Sequence, residues 1–68
     1  IQATPQMVGK NLRQLDIRRR FGCNVMAIKN EHAMNISPRA EDEIHEGDIL
    51  VVVGKNEDIR HFEVSVSK

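Results

Sequence analysis

Three consecutive arginines, Arg18, Arg19 and Arg20, follow an aspartate at position 16 and precede a glycine at position 22. A guanidinium carries a planar fork of donors that meets two oxygens at once, which suits it to phosphate. Arg18 lies in the first helical turn after Asp16, a few residues before the apolar run Val25-Met26-Ala27-Ile28, so its stem is anchored near a strand. Two other places converge with it. The helix-to-strand joint at Asn24 and Val25 offers backbone N–H groups, and Pro38 stands at a strand end; valine and proline both present apolar faces to a ring. Together these positions describe a site for an anionic, partly apolar ligand. The plain alternative is a solvated arginine face paired locally with groups such as Asp16, with Pro38 a simple strand stop.

Other chemistry is poorly provided for. Cys23 has no partner in sequence and, at the start of a buried strand, reads as core filler rather than a nucleophile. His32, His45 and His61 stand thirteen and sixteen residues apart in three different elements, a pattern of surface histidines rather than metal ligands. Glu41-Asp42-Glu43 reads as a solvated acidic run. Met7, Met26 and Met34 read as core filler. Gly54-Lys55-Asn56 lacks the second glycine and the hydroxyl of a P-loop. No catalytic or metal-binding residue is assigned, and a binding module is expected rather than an enzyme.

The elements that must position the site follow from pattern. Asn11 with Gln14 forms a capping box, and Leu12 and Leu15 share one face of the turn it opens. Asp16 caps a second turn through Phe21, which Gly22 ends in a left-handed conformation. A strand from about Cys23 to Lys29, buried on both faces, comes next. Asn30-Glu31-His32 turns the chain into a half-buried strand with Met34 and Ile36 pointing one way, and Pro38 stops it. Arg39 to Glu46 is a charged loop pinned by Ile44, and Glu46-Gly47-Asp48 delivers the chain to a buried strand, Ile49 to Val53. Asn56 caps a last helix with Ile59 and Phe62 as its apolar stripe. Ile1 to Ala3 reads as a strand end; Val64 to Ser67 alternates like an edge strand or a frayed tail. The fold class is α+β: a small sheet of three to four strands with short helices packed on it.

Sixty-eight residues make one domain with a marginal core. Ten basic and ten acidic side chains cancel, and with few aromatics this argues against DNA or RNA as a partner. No apolar run approaches the roughly 20 residues of a transmembrane helix. A single cysteine fits a reducing, cytoplasmic setting. The chain opens on Ile1 without a start signal, which reads as a fragment of a longer chain whose neighbours or second copy supply burial.

The ordered set Gly9-Lys-x-Leu12-x-x-Leu15-Asp16-Ile17-Arg18, Phe21-Gly22-x-x-Val25-x-Ala27-Ile28, Ile36-x-Pro38 and Ile44-x-x-Gly47-Asp48-x-Leu50-x-Val52-x-Gly54 resembles the C-terminal RCK domain, also called the TrkA-C domain. It is most similar to that of regulatory subunits of Ktr-type bacterial potassium uptake systems. The resemblance implies a two-fold homodimer, and residues 1-68 as one C-terminal RCK domain without its N-terminal nucleotide-binding domain. That missing domain would bind ATP, ADP or NAD and form a ring under an integral-membrane potassium-conducting subunit, at the inner face of the plasma membrane. Cyclic di-AMP, bound in the dimer cleft, would be the effector that inhibits potassium uptake, with no cofactor in this domain. Carried over by position, Arg18 would hold a phosphate, and Asp16 would contact the nucleotide or fix Arg18. Asn24 and Val25 would add contacts at the joint, while Leu12 and Pro38 would line the adenine pocket. The polar pair Asn11 and Arg13 departs from the pattern and narrows the apolar wall at Leu12. Two readings compete with a sensor: a structural dimerisation domain that binds no cyclic dinucleotide, and a nucleic-acid binder using Arg18 to Arg20.

Overall fold

The computed structural model describes residues 1–67. Six elements follow in order: α1 (Leu12–Leu15), α2 (Ile17–Phe21), β1 (Asn24–Lys29), β2 (Met34–Ile36), β3 (Ile49–Val53) and α3 (Asn56–Val66). The strands form one antiparallel sheet in the order β2-β1-β3. Ile28 stands opposite Leu50 and Ala27 opposite Val51, with a bulge between Val25 and Ala27. The hairpin from β1 to β2 closes where Asn30 N–H bonds Ala33 O at 2.9 Å. The Asn30 side-chain oxygen also accepts from the His32 and Ala33 N–H groups. Ile1 to Ala3 runs strand-like beside β3, with Gln2 bridged to Ile49 and Ala3 N–H donating to Asp48 O.

The core lies on one face of the sheet. Phe62, Met7, Ile44, Leu50 and Cys23 are fully buried there, and Leu15, Ile17, Phe21, Ile28 and Val66 complete the cluster. Each such large side chain removed from water contributes about 1.5–3 kcal/mol. The Phe21 and Phe62 rings, 5.2 Å apart between centroids, lock α2 onto α3. Ile44 anchors the charged loop as its apolar character requires: its N–H donates to Lys10 O, and Gly9 N–H returns a bond to Ile44 O.

Several expectations need correction. β1 and β3 are buried on one face only. Met26 and Met34 are about half exposed rather than core filler, and Ile49, Val51 and Val53 point outward. β2 is exposed along its whole length, since no helix covers its end of the sheet. β1 starts at Asn24, because Gly22 and Cys23 are used in leaving α2. Lys55, not Asn56, is the N-cap of α3, and no side chain caps it. Glu57 and Asp58 supply the negative charge its first turn favours. Val64 to Val66 is neither strand nor tail: α3 runs on through it so that Val66 closes the core.

Gly54 leaves β3 directly against Cys23, where an added Cβ would stand 3.1 Å from Sγ and 3.4 Å from the Cys23 Cα. Overpacking of this kind costs about 1–3 kcal/mol. Gly54→Val is therefore expected to lower the unfolding free energy by about 1–3 kcal/mol, read as a lower urea midpoint at unchanged m. An unchanged midpoint would show that the β3 exit moves freely.

Candidate ligand-binding site

The capping box forms: Gln14 N–H donates to the Asn11 side-chain oxygen at 2.8 Å, and Asn11 N–H donates to Gln14 Oε1 at 2.9 Å. The next donors of α1 are taken by the loop before β3, with Leu12 N–H bonded to Asp42 O and Arg13 N–H to Ala40 O. At Asp16 the chain passes from α1 to α2 in a left-handed conformation, φ 50°. Its N–H donates to Leu12 O and its carbonyl accepts from Arg20 N–H, so this one residue closes one helix and opens the next. Gly22, φ 75°, then ends α2 with its N–H on Arg18 O, as a left-handed stop should.

This double turn sets Arg18 beside the start of β1. Arg18 Nε donates to the Asn24 side-chain oxygen at 2.9 Å. The Asp16 carboxylate is occupied by Arg19, whose Nε lies 2.7 Å away. Asn24, rather than Asp16, is thus the residue that holds Arg18. Asn24 and Val25 are already ladder residues, opposite Val53 and Val52, so the joint itself lies at Gly22 and Cys23. Arg20 turns away, its guanidinium 4.9 Å from the Phe21 ring.

Leu12, Ile17, Arg18, Cys23, Asn24 and Val25 line one open cleft of about 130 Å³. Four of the six sequence-predicted residues meet here. Asp16 and Pro38 do not line it. Pro38 is half-buried beyond β2, just past Ser37, whose N–H bonds Met26 O. The cleft is small beside the 300–1,000 Å³ of ordinary ligand pockets. One chain has room for a phosphate or part of a base, not for a dinucleotide. A larger concavity, about 760 Å³, opens at the far end of β1, but Glu31, Glu46 and Asp48 line it and disfavour an anion.

Sequence reasoning missed two kinds of residue. Ile17 and Cys23 line the cleft by their buried flanks; Ile17 stood in the recognised pattern beside Arg18 without a role. Burial pushes the Cys23 thiol pKa up, with the Asp58 carboxylate adding to it, so Cys23 is an apolar wall rather than a nucleophile. Asp42 was taken as part of a solvated acidic run, yet its Oδ2 accepts from Arg39 N–H and from the Asn35 side-chain amide, both at 2.8 Å. Those two bonds bracket Pro38 from either side. The preceding Ser37 adopts φ 59°, a left-handed conformation that costs a residue with a Cβ about 1–2 kcal/mol. No group of three or more His, Cys, Asp or Glu able to hold a metal ion occurs among the described residues.

A family model described as the TrkA-C domain matches residues 1–66. The chain belongs to the TrkA-C domain family. Ktr system potassium uptake protein C of Bacillus subtilis (strain 168) is 42% identical over 66 residues, 97% of this chain and 30% of that protein. Ktr system potassium uptake protein A of the same strain is 39% identical over 61 residues, 90% of this chain and 28% of that protein. The chain thus spans less than a third of these relatives' length. Among solved structures, the RCK C domain of the potassium transport protein KtrA in complex with cyclic di-AMP superposes with TM-score 0.93 at 36% identity, covering 97% of this chain and 78% of that one. The expected kinship with Ktr regulatory proteins holds.

The exclusion of nucleic acid does not. BusR of S. agalactiae in complex with its busAB-promoter DNA carries the same fold, with TM-score 0.84 at 21% identity, covering 97% of this chain and 32% of that one. A TrkA-C fold therefore occurs inside a DNA-bound protein. Neutral charge on the domain does not rule DNA out as a partner, because in a longer chain DNA contact can belong to another part.

Hydrogen bonding from the Arg39 backbone, then from Asn35, holds the Asp42 carboxyl below the usual carboxylate range. A depressed folded-state value contributes stability that is present above the unfolded pKa of about 4 and lost as pH falls through the lower, folded one. Asp42→Ala is expected to melt below the parent chain near neutral pH, with the gap narrowing below about pH 4. A gap that stays constant in thermal melts down to about pH 2.5 would assign the loss to packing instead.

Proposed function

We propose that this chain is the effector-binding regulatory domain of a Ktr-type potassium uptake protein, and that two copies bind one cyclic di-AMP in a shared cleft. The observation that carries the reading is Arg18, held by Asn24 beside a cleft too small for a whole dinucleotide. Cyclic di-AMP has two phosphates and two adenines, and an isologous pair supplies each half with the same residues. Arg18 bonds the phosphate, and Leu12, Val25 and Pro38 flank the adenine. Asn24 positions Arg18 and borders the ligand, while Asp16 holds Arg19 at the phosphate's flank. The reading draws support from a KtrA RCK C domain bound to cyclic di-AMP at 36% identity and from two Ktr proteins near 40% identity.

The remainder of the protein follows from the same kinship. An N-terminal domain binding ATP, ADP or NAD precedes this one, full-length subunits form a ring, and the ring meets an integral-membrane subunit at the cytoplasmic face. Cyclic di-AMP lowers potassium uptake by favouring one arrangement of the pair, since a ligand shifts an equilibrium only through differential affinity.

Calorimetric titration of the chain with cyclic di-AMP, cyclic di-GMP and ATP tests this. Cyclic di-AMP is expected to bind selectively. Arg18→Ala should weaken it by about 100-fold or more, because each copy loses a bond to a charged oxygen of about 1.5–3 kcal/mol. Asn24→Ala should weaken it by about tenfold, through a guanidinium no longer held in place. Unchanged affinity in Arg18→Ala removes Arg18 from the site, and the absence of any cyclic dinucleotide binding leaves a structural dimerisation domain.

A further inference from the structure

Leu12 and Pro38, assigned above to the flanks of the adenine, come from different elements: Leu12 opens α1, and Pro38 follows β2. One residue is bonded to the surroundings of both. The carbonyl oxygen of Asp42 accepts from Leu12 N–H at 3.3 Å. Its carboxylate Oδ2 accepts from the Asn35 side-chain amide on β2 and from Arg39 N–H, the amide that follows Pro38, both at 2.8 Å. Asp42 N–H returns to Arg39 O at 3.0 Å, so this turn is closed by bonds in both directions. The α1 side is equally well tied. The capping box occupies the N–H groups of Asn11 and Gln14, while those of Leu12 and Arg13 have no carbonyl within the helix to meet. They take the carbonyls of Asp42 and Ala40 instead. With Asn11 bridged to Glu43 and Ile44 bonded to Gly9 and Lys10, residues 40–44 lie along residues 9–13, ending at the buried Ile44.

We propose that Asp42 is a positioning residue for the ligand site: it ties the Pro38 end of β2 to the Leu12 turn of α1, so that one side chain sets the spacing of two apolar walls. The proposal deepens the effector reading and rests on it for the identity of the ligand. Asp42 does not line the cleft and acts through Leu12 and Pro38. A carboxylate suits the task, because one oxygen accepts two bonds and its charge strengthens each. The wall it holds needs holding. Proline has no N–H to anchor it to a ladder, and Ser37 before it adopts φ 59°, a conformation that persists only where neighbours fix it. Walls set in advance reduce the ordering that ligand binding must otherwise bring about. The adjacent acids do other things: Glu41 pairs with Arg13 at 3.2 Å, exposed on both sides, and Glu43 lies 3.4 Å from His45.

Amide hydrogen exchange reads the tie without any ligand. Asp42→Ala is expected to speed exchange at Arg39 and Leu12 by about tenfold more than at Leu50, whose N–H is bonded to Ile1 O beside the core. Asn35→Ala removes a bond on the β2 side alone, yet should also speed Leu12; Glu41→Ala should not. Asp42→Asn, whose amide oxygen can accept both bonds, should restore the rates. Calorimetry with cyclic di-AMP, at a temperature where every variant is folded, should show binding about tenfold weaker in Asp42→Ala, recovered in Asp42→Asn and unaltered in Glu41→Ala. Equal acceleration at Leu12 and Leu50 makes Asp42 a general stabiliser and overturns the proposal. So does full affinity in Asp42→Ala. Should Asp42→Ala fail to fold, Asn35→Ala decides by the same two measurements. A wild-type chain that binds no cyclic di-AMP ends the effector reading, and the exchange pattern then upholds or overturns the tie by itself.

Discussion

β1 is bonded along both edges, to β2 on one side and β3 on the other, and every other element is placed by what that central strand requires. Its core-facing residues need cover, and the chain supplies it once. α2, α3, the Met7 segment and the Ile44 loop all pack on the same side. Among the described residues the other face of the sheet stays uncovered. Met34, Ile36, Val51 and Val53 are left exposed on that face.

The same strand organises the site. Gly22 ends α2 just early enough for Asn24 to enter the ladder, and the ladder fixes Asn24 as a rigid acceptor for Arg18. An arginine tethered in this way loses less freedom on meeting a phosphate than one on a free helix face. On the other side of β1, Pro38 follows β2 directly after Ser37, whose N–H bonds Met26 O. Asp42, bonded to Asn35 and Arg39, holds the loop around it. Residues left-handed at Asp16 and Ser37 stand next to the two halves of this arrangement, which is where a fold that needs sharp corners accepts backbone strain.

Family membership and partner choice are separate questions. The TrkA-C fold accompanies potassium uptake proteins in Bacillus subtilis and a promoter-bound protein in S. agalactiae. In each the domain is a minor part of a longer chain. Net charge on the domain then says little about the partner.

The sequence by itself determined whatever depends on neighbours along the chain. The Asn11–Gln14 capping box, the left-handed Gly22, the strands around Ile28 and Leu50, and the inward Ile44 are set by local hydrogen bonding and by a side chain's preference for water or oil. Arg18 was singled out because a fixed distance separates it from a strand. Tertiary structure alone decided which face of that strand is covered, since apolar runs such as Ile49 to Val53 look alike whether one side or two are buried within a single copy. It also decided that Arg18 binds Asn24 while Asp16 binds Arg19. Both partners were within reach in sequence, and only the angle between α2 and β1 chooses between them. Asp42 belongs with these, for its bonds to Asn35 and Arg39 exist only because β2 and the following loop fold back upon each other.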